Sequence, residues 1–206
     1  MIAIIDYDAG NVKSVEKAFE HLGEEVVLTR DKNILLSAEK VVLPGVGNFG
    51  DAMARINQYN LKPVIEEIIA KKTPFLGICL GQQLLFETSE ESEGVEGLAI
   101  LKGTIKRIPD SPELKVPQIG WNNLTYPNKS KLFEGIEEGS YVYFVHSYYV
   151  DALDKSIVAA TTEYGVTVDA AIESENVFAC QFHPEKSSAV GIQILSNFLK
   201  YNRENK

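Results

Sequence analysis

Short apolar runs alternate with helical patterns through the first half of the chain. Ile2-Ala3-Ile4-Ile5 reads as a strand, residues 12–22 as an amphipathic helix, and Val26-Val27-Leu28 and Val41-Val42-Leu43 as further strands. Residues 49–71 read as helical with an interruption near Pro63. Phe75-Leu76-Gly77-Ile78 is a continuous apolar run suited to a strand buried on both faces. This βαβ alternation predicts an α/β fold, a doubly wound, mostly parallel sheet flanked by helices. His21 ends the first helix just before Gly23, a surface position.

After residue 98 the texture changes to short strands separated by Gly, Pro and Asn, covering 98–108, 116–124, 141–150, 157–162, 166–172 and 177–182. Such spacing predicts hairpin-rich antiparallel strands added to the sheet. A last helix, 188–201, puts Val190, Ile194, Leu195, Phe198 and Leu199 on one face to close the core. No repeat or long linker divides the chain, so residues 1–206 read as a single domain.

Composition narrows the function classes. The 206 residues are 45% hydrophobic, enough for a substantial core. A net charge of −9, from 29 acidic and 20 basic residues without a Lys/Arg stripe, argues against nucleic-acid binding. No apolar run approaches the ~18 residues a membrane span needs, and the first strand reaches Asp6 too soon for a secretory leader. A cytoplasmic protein is expected. Two cysteines without a Cys/His cluster give neither a disulfide framework nor a zinc site, so no metal and no cofactor are expected. The acidic run Glu90 to Glu96 reads as a solvated loop.

Gly45-Val46-Gly47-Asn48-Phe49-Gly50 matches the dinucleotide fingerprint literally, after a strand and before a helix. It follows the third strand rather than the first, Pro44 bends the strand exit, and Ala70-Lys71-Lys72 stand where a ribose-binding acid belongs. A glycine turn whose backbone N–H groups approach a ligand oxygen is the better reading.

Gly77-Ile78-Cys79-Leu80-Gly81 passes from the buried strand straight into the helical segment Gln82-Gln83-Leu84-Leu85-Phe86, a nucleophile elbow with cysteine in the serine position. The flanking glycines remove Cβ groups from a crowded turn, and Leu80 N–H is expected to point at the reacting carbonyl. A thiol nucleophile working at neutral pH needs roughly 2–3 kcal/mol of stabilisation of its thiolate. A helix N-terminus supplies only about 0.3–1 kcal/mol, so an imidazole is required. Of three histidines, His183 follows the strand 177–182 and should emerge at the same carboxyl edge. Glu185, beyond the stiff Pro184, can hold its tautomer. His146, among strand aromatics, and Cys180, on a buried strand, read as core residues.

Gly77-Ile78-Cys79-Leu80-Gly81-Gln82-Gln83 and Gln181-Phe182-His183-Pro184-Glu185 resemble the nucleophile and base motifs of the class I, triad-type glutamine amidotransferases. The stretches 6–11, 43–47, 116–122, 143–148 and 183–187 are similar to one branch of that class, the glutaminase subunits of imidazole glycerol phosphate synthases. The resemblance implies a flavodoxin-like glutaminase fold, L-glutamine as substrate, and a (β/α)₈-barrel cyclase partner that receives ammonia. It implies oxyanion-hole backbone donors at Gly47 and Leu80, glutamine contacts at Gln83, Ser147 and Tyr148, and partner contacts at Asn11, Trp121, Tyr143 and Lys186. Asp8, Gln82 and Gln118 depart from the pattern, in which Gly, Met and His are common there. A glutaminase subunit for anthranilate or aminodeoxychorismate formation is the alternative within the class; a nucleotide-binding module is the one outside it.

Overall fold

The computed structural model describes residues 1–112 and 114–201. Four βα units come first: β1 (Ile2–Ile5), α1 (Val12–His21), β2 (Val26–Thr29), α2 (Lys32–Ser37), β3 (Lys40–Leu43), α3 (Phe49–Gln58), α4 (Lys62–Ala70), β4 (Phe75–Ile78) and α5 (Leu80–Leu84). The later strands are β5 (Thr88–Ser89), β6 (Gly103–Arg107), β7 (Gln118–Asn123), β8 (Tyr141–His146), β9 (Tyr148–Ala152), β10 (Val158–Glu163), β11 (Thr167–Ser174) and β12 (Val177–Cys180), before α6 (Ser188–Lys200).

Seven strands form the main sheet in the order β10-β11-β12-β4-β3-β1-β2. Its five strands from β12 to β2 pair in parallel, whereas β11 and β10 extend it antiparallel. Every residue of β1, β3, β4 and β12 is buried, as expected for parallel strands covered on both faces. One core packs Phe49, Met53, Ile65 and Leu84 against Ile5, Leu43 and Phe75; the other packs Phe19, Ile194, Leu195 and Phe198 against Ile4, Val42 and Phe178.

Several expectations need correction. The helical stretch 49–71 breaks at Tyr59–Leu61, where Asn60 takes φ 53°, and Pro63 sits in the first turn of α4, where its missing N–H costs nothing. Six-residue α2, capped by Asp31, has no apolar periodicity long enough to be read. Strand β6 occupies only the second half of 98–108. The run 141–150 is two strands broken at Ser147, β8 pairing with β7 and β9 with β6. These pairs form two small separate sheets, so only β10 and β11 are antiparallel additions to the main one. Strand β12, read among the antiparallel strands, runs parallel to β4 and ends at Cys180. No helix among the described residues is long and apolar enough to cross a membrane.

Candidate active site

Adjacent strands β3, β4 and β12 deliver Gly45–Gly47, Cys79 and His183 side by side beyond their carboxyl ends. Open α/β sheets place ligands at this edge. Cys79 turns out of β4 at φ 55°, ψ −110°, a strained backbone for a residue with a Cβ. The strain is held from both sides: Cys79 N–H donates to Cys180 O at 2.7 Å, and its carbonyl accepts Gln82 N–H at 3.0 Å. A Cβ on Gly81 would stand 1.9 Å from the Leu43 carbonyl oxygen, and one on Gly77 2.7 Å from that of Gly81. Both elbow glycines are therefore steric necessities. Helix α5, with Cys79 at its N-cap, has only five residues, so its dipole is a short one.

His183 lies just past the end of β12, its N–H bonded to Tyr143 O at 2.9 Å and its carbonyl held by Ser187 Oγ at 2.6 Å. Its Nδ1 meets Glu185 Oε1 at 2.8 Å, with both side chains almost fully buried. Nε2 is buried with no hydrogen bond formed. Burial disfavours the imidazolium, but the neighbouring Cys79 sulfur and Glu185 outweigh it and push His183 up to about 9. An imidazole so held can take and return a proton beside a thiol.

A cavity of about 250 Å³ opens on Cys79, lined by Gly47, Leu80, Gln83, Glu91, His146, Ser147 and Tyr148 among others. It gathers the expected oxyanion and glutamine-contact residues around the thiol. Gln83 Nε2 is already engaged, donating to Tyr148 O and Gln181 Oε1, each at 2.9 Å. Leu80 N–H donates to Gly45 O at 3.2 Å. The glycine turn, with Gly47 at φ 106°, thus engages this N–H with its own carbonyl. A larger cavity of about 570 Å³, by Tyr126, Phe133 and Glu173, holds none of these groups.

Asn11 shares a small cleft with Gly45, Val46, His183 and Glu185. Lys186 follows in the short helical turn after His183 and is exposed. Trp121, half exposed, meets the ring of Tyr143 edge-on at 6.1 Å. Cys180 is fully buried, and burial first of all pushes its thiol up.

Three contributors escaped the sequence reading. Glu91, read as part of a solvated loop, accepts the Phe49 N–H at the start of α3 at 2.7 Å and lines the cavity. Gln181 directs its Nε2 at Cys79 Sγ, 3.7 Å away. His146, read as a core histidine, is buried yet borders the cavity. Only Gln181 carried a signal, its place beside His183. The three departures each have partners: Asp8 meets Arg30, Arg55 and Tyr59, Gln82 Nε2 donates to Asp169 O, and Gln118 meets His146. Among the described residues no cluster of three or more His, Cys, Asp or Glu could hold a metal ion.

Residues 3–201 match the family model for glutamine amidotransferase class-I. The chain is 53% identical to the imidazole glycerol phosphate synthase subunit HisH of Thermosynechococcus vestitus, covering 96% of this chain and 95% of that one. It is 48% identical to the HisH subunit of Methanocaldococcus jannaschii, covering 97% and 99%. Among solved structures it resembles a glutamine amidotransferase at TM-score 0.75 and 17% identity, over 97% of each chain. The glutaminase domain of Trypanosoma brucei CTPS matches at TM-score 0.69 and 18% identity, over 98% of this chain and 94% of that one. With that likeness in fold and that identity over nearly its whole length, the chain belongs to the class-I glutamine amidotransferases and, within them, to the HisH subunits of imidazole glycerol phosphate synthase.

Proposed function

We propose that this chain hydrolyses L-glutamine through Cys79 and passes the ammonia to a (β/α)₈-barrel cyclase, which forms imidazole glycerol phosphate and aminoimidazole carboxamide ribotide in histidine biosynthesis. Residues 1–206 act as one amidotransferase domain, in the cytoplasm, in a heterodimer with that cyclase. The observation that carries this reading is the buried His183–Glu185 pair beside Cys79, whose thiol lines the 250 Å³ cavity.

His183 takes the Cys79 proton as sulfur attacks the side-chain carbonyl carbon of glutamine. Collapse of the tetrahedral intermediate breaks the C–N bond, His183 returns the proton to the leaving ammonia, and a glutamyl thioester remains. Water, deprotonated by His183, then cleaves the thioester to glutamate. Glu185 keeps Nδ1 protonated and stabilises the imidazolium. Gln83, Ser147 and Tyr148 hold the substrate, and the Glu91 carboxylate suits its α-ammonium group.

Gly47 and Leu80 supply the oxyanion donors, which requires Leu80 N–H to leave Gly45 O. Rotation of the Gly45–Val46 peptide would release it. The free chain therefore turns over glutamine slowly, and the liganded partner, docking on Asn11, Trp121, Tyr143 and Lys186, favours the rotated state. Val46 supports this route, since it lines both the Cys79 cavity and the Asn11 cleft.

Glutamate production measured with and without the cyclase and its bound substrate tests the reading. Strong acceleration by the liganded cyclase is expected. Equal turnover in both conditions would remove the coupling.

A further inference from the structure

The chain changes sheets between β8 and β9 at a single residue, Ser147, which lines the Cys79 cavity together with Tyr148. Two side chains fasten this kink by converging on one carbonyl. Tyr148 O lies 2.8 Å from His146 Nδ1 and 2.9 Å from Gln83 Nε2. On its other side His146 Nε2 lies 2.9 Å from the side-chain amide of Gln118, with Oε1 toward it. Gln118 is buried, while its β7 neighbours Ile119 and Trp121 are exposed.

Two oxygens facing both ring nitrogens would require a doubly protonated imidazole. Burial opposes that charge, outweighing the help of Tyr148 O, and with His183 nearby His146 is pushed down to about 4. A neutral imidazole has one N–H, and a carbonyl oxygen can only accept. The proton therefore belongs on Nδ1. Nε2 is then an acceptor, and the amide of Gln118, whose nitrogen and oxygen are nearly isosteric, satisfies it only by presenting Nε2–H.

We propose that His146 is a positioning residue for the glutamine site: as the neutral Nδ1–H tautomer it pins Tyr148 O and the Ser147 kink, and the Gln118 amide nitrogen locks that tautomer from β7. Gln118 thereby joins the exposed β7–β8 pair to the cavity wall in two hydrogen bonds. The assignment deepens the glutamine-site reading and rests on it.

Two measurements on the isolated chain test it. Nitrogen NMR of ¹⁵N-histidine protein, with His146 assigned by removing the other two histidines in turn (His21→Gln, His183→Gln), should show at neutral pH a protonated Nδ1 and a bare Nε2. A protonated Nε2, alone or with Nδ1, overturns the proposal, and this arm needs no variant of the network to fold.

The second arm follows saturable alkylation of Cys79 by a chloromethyl ketone in which the glutamine amide is replaced. Gln118→Leu is expected to raise the half-saturating concentration about fivefold, the scale of one lost hydrogen bond, with the limiting rate within about twofold. An unchanged half-saturation overturns the positioning role. Absence of saturable alkylation in the unaltered protein would instead overturn the glutamine-site reading.

Discussion

The backbone N–H of His183 donates to the carbonyl oxygen of Tyr143 at 2.9 Å, so the candidate base hangs from the strand that shares an exposed face with Trp121. Ser187 Oγ doubles the link, donating to His183 O while accepting Tyr143 N–H at 3.0 Å. A partner docked on this strand pair would reach the base through the Tyr143 backbone and Ser187.

Trp121→Ala tests whether this face docks the partner. Trp121 is 50% exposed, so the substitution should change unfolding free energy by no more than about 0.5 kcal/mol. As a central aromatic of a docking face it should cost about 2 kcal/mol or more of cyclase affinity. Chemical denaturation and titration calorimetry on the same variant separate the two effects.

Glu185→Gln keeps the shape beside His183 and removes the charge. Burial lowers the imidazole's pKa while Cys79 and Glu185 raise it, with a net value of about 9. The variant should therefore lose its imidazolium at lower pH, moving the alkaline limb of the glutaminase profile downward. A pH–rate series for the two proteins reads the shift. An alkaline limb that stays in place contradicts the assigned pairing.

The elbow's steric demand gives a stability test. Gly81→Ala puts a Cβ 1.9 Å from the Leu43 carbonyl oxygen, between two backbone segments of the parallel sheet edge. A loss of about 3 kcal/mol or more is expected in urea unfolding, at the severe end for single substitutions. Cys79→Gly relieves a positive φ and should unfold at higher denaturant than Cys79→Ala, by about 1 kcal/mol.

What could be read from the sequence was what is local in it. Cys79 stands between its glycines, and His183 and Glu185 are two residues apart, so a strand followed by a short motif announced all three. Strands β1, β3 and β4 were legible because both their faces are buried and their apolar runs are unbroken. The split at Ser147 was not, since aromatic and apolar residues continue through it while the backbone changes sheets. Glu91 and Gln118 were hidden for another reason. Their partners lie 42 and 28 residues away, and no spacing rule connects a loop carboxylate to the start of α3 or a strand amide to His146. The bond from Leu80 N–H to Gly45 O depends on one peptide's orientation, to which residue type is nearly indifferent.

The most direct measurement compares two nitrogen sources for synthesis by the reconstituted complex carrying Cys79→Ala. Glutamine-dependent formation of imidazole glycerol phosphate should be abolished, and ammonia-dependent formation by the cyclase should be retained. Survival of the glutamine-dependent activity, or loss of both, would contradict the role given to Cys79.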